Sequence, residues 1–182
     1  MPTILSHSIA ALTLGKCCPA WRMPLRFWLL TAVCAALPDA DVIGFGFGIR
    51  YSDLLGHRGL THSLCFALAV GVLVVVSFFR NLDLGSREWW TLVVYFFIVT
   101  ASHGVLDAMT NGGLGIAFFS PFSNERYFFL WRPIEVSPLG VGSFLSRGAE
   151  MLVSEIKWIW IPSGLVVLTA YLFKRVRSAN HR

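Results

Sequence analysis

Residues 89–106 read "WWTLVVYFFIVTASHGVL", an apolar run of helical length whose last turns carry His103, with Asp107 following one turn later. A helix crossing the hydrocarbon core of a bilayer needs roughly 20 mostly apolar residues, with ~17 as a floor, and this run meets that length with its flanks. On a helix, His103 and Asp107 share one face. An ionisable pair in such a segment is costly unless it meets a partner, a polar cavity or a ligand.

Similar runs lie at about 24–37, 64–79 and 156–173, with a shorter one from Ile4 to Leu14. The chain of 182 residues is 55% hydrophobic with a mean hydropathy of +0.65, above soluble usage. These features predict an all-α, multi-pass helical membrane protein with about five short membrane segments and an outer loop cap. No internal repeat, low-complexity tract or linker divides residues 1–182, so one membrane-embedded domain is expected.

Charge distribution orients the chain. Lys16, Arg22 and Arg26 fall between the first two runs, Arg80 and Arg87 between the third and fourth, and Lys174, Arg175, Arg177 and Arg182 in the tail. Placing these segments in the cytoplasm satisfies the positive-inside tendency and leaves the N-terminus, residues 38–63 and residues 107–155 outside. Of ten acidic residues only Asp83 and Glu88 then face the cytoplasm. No face interleaves basic and aromatic residues beyond what topology requires, which argues against nucleic-acid binding. The opening "MPTILSHSIAALTLGKCCPAW" lacks a basic region before its apolar stretch and does not read as a cleaved signal peptide. Cys17, Cys18, Cys34 and Cys65 show no CxxC spacing and are expected to be reduced and structural.

Under this topology four of the five histidines, His7, His57, His62 and His103, lie at the outer ends of apolar segments, level with Asp39, Asp41 and Asp107. Singly, each has an ordinary reading: a packing histidine at position 7, a helix-ending turn in "LPDAD", a solvated loop at His57 and Arg58, an ion pair between His103 and Asp107. Together they call for a common partner. Imidazole and carboxylate suit a divalent metal, one or two Zn²⁺ with Mn²⁺ or Fe²⁺ as alternatives, and an open coordination position lets bound water ionise near neutral pH. The candidate ligands are His7, Asp39, Asp41, His57, His62, His103 and Asp107, with His57 either touching the metal or standing behind a ligand, and Asp39 or Asp41 bridging metals or orienting water.

In "GHRGLTHS", Arg58 offers a fork for a phosphate or carboxylate oxygen. Gly56 and Gly59 allow a tight turn, and Thr61 is placed to cap the following helix. Arg126, Arg132 and Glu155 are further candidates for anion grips or an acid, and Trp131, Trp158 and Trp160 read as interfacial anchors. The segment "IGFGFGIRYSDLLG" reads as a loop or short reentrant piece, without the lysine and hydroxyl of a P-loop. HExxH is absent, which disfavours a zinc peptidase, and the aspartates fit hard-metal chemistry better than haem ligation.

The pieces "MPTILSH", "LPDAD", "GHRGLTHS" and "SHGVLDAMT" resemble the LexA-regulated, membrane-bound metal-dependent hydrolase family, the YdjM/YbcI group, and "SNERYFFLW" and "SEIKWIWIP" are similar to its YbcI branch. The resemblance implies a multi-pass bacterial inner-membrane protein with a hydrolytic metal centre. The order His7, Asp39 or Asp41, His62, then His103 and Asp107 is more distantly similar to the zinc-dependent phospholipase C and P1 nuclease superfamily. That superfamily adds two later histidines and a glutamate, whereas only His181 follows here, with Glu150 or Glu155 as substitutes. The expected function is a metal-dependent hydrolase of a phosphate ester on a lipid or lipid-linked substrate, using a metal-activated hydroxide, with Asp39, Asp41 and Arg58 catalytic. The alternative is a non-catalytic membrane protein with a structural metal, or an ion carrier. A carrier predicts polar residues continuing through the helices, and the runs from Leu64 to Phe79 and Trp158 to Phe173 carry almost none.

Overall fold

Among the described residues six α-helices follow in order: α1 (Ile4–Cys17), α2 (Leu25–Ala36), α3 (Leu64–Phe78), α4 (Arg87–Ala108), α5 (Val141–Glu155) and α6 (Ile161–Ala179). The computed structural model describes residues 1–17, 23–137 and 141–179, the side chains of 141–147 and 177–179 excepted. Cys18, Arg22, His181, Arg182 and the Arg177 side chain therefore lie outside the described residues. There is no strand among those described, only isolated bridges pairing Thr110 with Ile134 and Ile116 with Tyr127. The expected all-helical architecture is observed.

Among the described residues three helical segments are long and apolar enough to cross a membrane: Leu25–Phe47, Arg87–Ala108 and Gly148–Val176. Of the other two expected segments, Leu64–Phe78 is apolar but shorter, and α1 has 14 residues. The central helix is α4, which packs against α1, α2 and α3 and buries Leu92, Val93, Phe96 and Val99. Phe27 of α2 stacks on Tyr95 at 4.7 Å and also meets Phe96. Lipid tails are as apolar as these side chains, so such close packing, rather than escape from water, holds the helices together. On α6, by contrast, Leu165, Leu168, Leu172 and Phe173 remain exposed, as a lipid-facing helix requires.

Local chemistry sets the helix ends. Ser63 caps α3 by accepting from the Phe66 N–H, and Ser86 caps α4 by accepting from Trp89. Thr61, read from the sequence as the cap of α3, instead donates to Asp41 Oδ2 at 2.6 Å, because a buried carboxylate is the stronger partner. His62 consequently lies in a separate 3₁₀ turn, Leu60–His62, ahead of the helix. Pro38 lacks an N–H and crowds the preceding turn, so α2 gives way to a 3₁₀ helix, Leu37–Phe47. The expected loop after Asp41 is thus helical as far as Phe47, where Gly48 closes it at φ 79°. Likewise the outer cap is irregular only to residue 137. After it α5 runs through a π-helical turn, Ile156–Trp160, directly into α6.

Chain direction separates two ends. The Arg26 guanidinium lies over Phe79 at 5.1 Å, and Lys16 lies over Trp28 at 4.4 Å, so the end of α1, the start of α2 and the end of α3 form a basic pole. The start of α1, the end of α2 with its 3₁₀ extension, the start of α3 and the end of α4 meet at the other. At the ~1.5 Å rise of a helix, His103 stands about 24 Å along α4 from Arg87, most of the way across a ~30 Å core.

Candidate metal centre

At that second pole each chain segment brings one or two polar side chains inward. His7 comes from α1, Asp39 and Asp41 from the 3₁₀ helix, His57 and Arg58 from the loop before α3, His62 from the 3₁₀ turn, and His103 and Asp107 from α4; all are buried. Around a 3₁₀ axis, residues two apart point about 120° apart, so Asp39 and Asp41 leave the helix in different directions. Gly104 lets the turn carrying His62 come close, since a Cβ there would stand 3.1 Å from the His62 carbonyl oxygen. Around Arg58 the turn uses its glycines for closeness. A Cβ on Gly56 would fall 2.1 Å from the Arg50 carbonyl oxygen and one on Gly59 would fall 2.4 Å from that of Leu54, while the left-handed φ of 65° belongs to Arg58 itself.

Asp39 and Asp107 form the centre. Asp39 Oδ1 lies 3.2 Å from His103 Nε2 and 3.7 Å from His62 Nε2. Asp107 Oδ2 lies 3.7 Å from His62 Nε2, and its Oδ1 lies 3.6 Å from His7 Nε2. The His7 ring stacks on His103 with centroids 3.7 Å apart. One ligand atom from each of Asp39, His62, His103 and Asp107 falls within 4.8 Å of all the others.

The outer nitrogens of the His62 and His103 rings are already engaged. His103 Nδ1 is 2.7 Å from the Ala35 carbonyl oxygen, which can only accept, so the proton sits on Nδ1 and Nε2 presents a lone pair. His62 Nδ1 is 3.0 Å from Thr61 Oγ1 and 3.2 Å from Asp41 Oδ2; the Thr61 hydroxyl itself donates to Asp41, so here too Nδ1 is the donor. Both Nε2 lone pairs therefore face carboxylate oxygens. Among the described residues nine buried side-chain atoms lack a hydrogen-bond partner, and all belong to this locus: both ring nitrogens of His7, both oxygens of Asp39 and of Asp107, Nε2 of His62 and of His103, and Arg58 Nε. Unsatisfied buried groups cost about 1–3 kcal/mol each, more when charged. A cation removes that cost. Ligands at ~2.0–2.2 Å in a tetrahedral arrangement stand about 3.3–3.6 Å apart, close to the spacings seen here. The buried His and Asp cluster could hold a metal ion. Without one it attracts a proton: burial lowers the His62 pKa, but the flanking carboxylates of Asp39, Asp41 and Asp107 raise it further, to about 9.

Asp41 is not among the unsatisfied atoms. Its Oδ1 is 2.7 Å from His57 Nδ1, and its Oδ2 accepts from the Arg58 backbone N–H at 3.1 Å as well as from Thr61. Asp41, His57 and His62 also approach closely enough for a shared ion, but Asp41 is already saturated by hydrogen bonds. Asp39 is thus the aspartate with free oxygens, and Asp41 the one that steers His62 and His57.

A family model described as YdjM inner membrane protein matches residues 1–181. The chain belongs to the YdjM family. It is 35% identical over 168 residues to the inner membrane protein YbcI of Escherichia coli (strain K12), covering 92% of this chain and 95% of that protein. No solved structure matches, so the distant likeness to the phospholipase C and P1 nuclease superfamily finds no support. With three spanning-length apolar helices, this YdjM-family chain is an inner membrane protein.

The YdjM-family fold gathers His7, Asp39, Asp41, His57, Arg58, His62, His103 and Asp107 into one buried cluster. His103 and Asp107 do share a face, but each turns to other partners, His103 to Asp39 and Asp107 to His7, His62 and Arg58. The Arg58 fork turns inward, with Nε 3.0 Å from Asp107 Oδ2, Nη1 donating to the Gly112 carbonyl and Nη2 to Thr110 Oγ1. Arg126 and Glu155 stand outside the cluster. Arg126 clamps the loop by donating to the carbonyl oxygens of His57 and Tyr51, both at 3.0 Å. Glu155, fully buried, accepts from the Thr3 N–H, the Thr3 hydroxyl and the Ser6 hydroxyl, and Trp160 Nε1 donates to Ser6 Oγ. Trp131 packs edge-on against Trp158 at 5.1 Å. Sequence reasoning missed Thr110 and Tyr51 beside Arg58; a hydroxyl two residues before a double glycine was the available signal for Thr110.

Proposed function

We propose that this protein is a membrane-bound metal-dependent hydrolase acting on a phosphate ester of a lipid or lipid-linked substrate. The observation that carries the reading is the convergence, among the described residues, of nine buried polar atoms without a hydrogen bond, all from His7, Asp39, Arg58, His62, His103 and Asp107. Asp39, Asp107, His62 Nε2 and His103 Nε2 would hold one ion, with His7 beside Asp107 as a further ligand. Zinc suits this nitrogen and oxygen set, with manganese or iron as alternatives. When bound, such an ion polarises a phosphoryl oxygen and brings water's ionisation near neutral pH.

The chain's own residues supply the rest. Asp41 holds the His62 ring through Nδ1 and so aims Nε2, and the Ala35 carbonyl does the same for His103. Arg58, fixed on Asp107, places a permanent positive charge beside the centre, suited to steadying a phosphate as negative charge builds up. Burial of the cluster excludes bulk water and strengthens these interactions. The basic pole at the opposite end supports a cytoplasmic position for Lys16, Arg26, Arg80 and Arg87, with the C-terminus on that side and the centre at the periplasmic face.

The test is phosphate release from phosphatidic acid and from a polyprenyl phosphate in mixed micelles, using zinc-loaded wild type, Asp39→Asn and His103→Ala. The expected result is release by wild type and a loss of ~100-fold or more in both variants. Full metal loading with no release from either ester would favour the structural-metal reading.

A further inference from the structure

Beside the centre, Met1, Tyr51, His57, Arg58, Gly113 and Ser137 line a cavity of about 180 Å³. Its floor has an unusual feature. Gly113 has φ +92°, a conformation natural to glycine, and a Cβ there would lie 2.6 Å from Arg58 Nη1 and 2.9 Å from Tyr51 Oη. The space above Gly113 is therefore a point from which one atom touches both a guanidinium nitrogen and a phenolic hydroxyl. Any side chain at 113 would fill it.

Both groups are held for such a contact. The Arg58 side chain is 1% exposed and engages Asp107, Gly112 and Thr110 with Nε and one N–H on each Nη, leaving the second N–H of each Nη. The Tyr51 ring is fixed edge-on to His57 at 5.2 Å and lies under the Arg126 guanidinium at 5.7 Å. Two arginines thus stand close to the notch, no carboxylate among the described residues lines the cavity, and Asp41 and Asp107 are already bound to His57 and Arg58 respectively. With a divalent cation on Asp39 and Asp107, the local charge balance tips towards anions.

We propose that the notch over Gly113 is an oxyanion subsite, in which Arg58 and Tyr51 take a non-reacting oxygen of a phosphate monoester. The inference rests on the metal-dependent reading above and adds to it a recognition site and a size limit. A cavity of about 180 Å³ is on the order of six water volumes at ~30 Å³ each, room for a phosphate and a short polar substituent but not for acyl chains. The remainder of a lipid substrate lies outside it, in the bilayer.

The test uses the full chain in phosphatidylcholine nanodiscs, zinc-loaded, with inorganic phosphate as titrant in calorimetry and bound metal measured in the same samples. Wild type is expected to bind phosphate only when metal-loaded. Tyr51→Phe keeps the ring and its packing, and is expected to retain wild-type metal while weakening phosphate binding roughly tenfold, the loss of one hydrogen bond to a charged group. Gly113→Ala is expected to abolish phosphate binding; because it also strains the backbone, Tyr51→Phe is the deciding variant. Phosphatidic acid in the disc that competes with phosphate supports a headgroup as the natural ligand, and its failure to compete supports a soluble phosphate ester. Unchanged phosphate affinity in Tyr51→Phe, or no binding by metal-loaded wild type, overturns the subsite while leaving the metal centre standing. Absence of metal from wild type overturns the reading beneath it.

Discussion

Asp41 and Asp39 stand on opposite sides of the His62 ring: Asp41 Oδ2 lies 3.2 Å from Nδ1, and Asp39 Oδ1 lies 3.7 Å from Nε2. One carboxylate is saturated by hydrogen bonds and the other has none, which suits the first to steering His62 and leaves the second able to hold a metal ion.

Asp41→Asn is therefore expected to keep every ligand yet weaken metal affinity about 10–100-fold, the usual effect of losing a partner behind a metal-bound histidine. Asp39→Asn removes an oxygen ligand and is expected to cost more. Competition with a graded series of chelators ranks the two. Equal affinities in both variants would contradict the division of labour.

Arg58 is the permanent cation beside buried Asp107, with Nε and Oδ2 3.0 Å apart. Arg58→Met leaves that carboxylate uncompensated, and the metal-free protein is expected to lose ~3–5 kcal/mol of stability. A bound divalent ion compensates in its place, so the loss should shrink in metal-loaded samples. Thermal unfolding in detergent with and without zinc checks both halves. A loss that zinc does not reduce would place Asp107 away from the ion.

Glu155 ties the π-helical turn to the first turn of α1, one residue before His7. Glu155→Ala frees that end of α1 and is expected to weaken metal binding roughly tenfold by loosening His7, whereas Glu155→Gln preserves an acceptor and should recover most of the affinity. Zinc-edge absorption spectra are expected to show one imidazole fewer in Glu155→Ala. An unchanged imidazole count, or no recovery with glutamine, would reduce Glu155 to a stability role.

Much of this was legible in the chain because ionisable residues stand out in apolar helices. His103, Asp107 and the "LPDAD" and "GHRGLTHS" segments announce themselves by cost alone, and their common level follows from the spacing of the apolar runs. What periodicity could not resolve was direction within a few residues. Asp39 and Asp41, two apart on the 3₁₀ helix that follows Pro38, take separate tasks because His57, the Arg58 N–H and Thr61, sixteen to twenty residues later in the chain, claim Asp41, a pairing that hydropathy does not register. Ser63 rather than Thr61 caps α3 because Asp41, twenty residues earlier in the chain, claims the Thr61 hydroxyl. The inward turn of Arg58 depends on Thr110 and Gly112 in a loop more than fifty residues away. The continuity of α5 with α6 was hidden by Pro162, a helix breaker whose missing N–H falls just past the π-helical turn that carries one helix into the other.

A bound ion that touches the folded state alone should also stabilise it, by about 2.7 kcal/mol at a free concentration 100 times its dissociation constant. Stripping metal with a chelator is expected to lower the unfolding temperature of wild type, with zinc restoring it, and to leave a His62→Ala, His103→Ala double variant unaffected. A chelator effect of equal size in that variant would place the stabilising ion elsewhere.

The most direct measurement is the metal content of the purified full chain, by elemental mass spectrometry, in wild type, His62→Ala and His103→Ala. The expected result is at least one divalent ion per wild-type chain and a substantial loss in each variant. Less than one ion per wild-type chain, or the same content in all three proteins, would contradict the assignment of Asp39, His62, His103 and Asp107 as a metal centre.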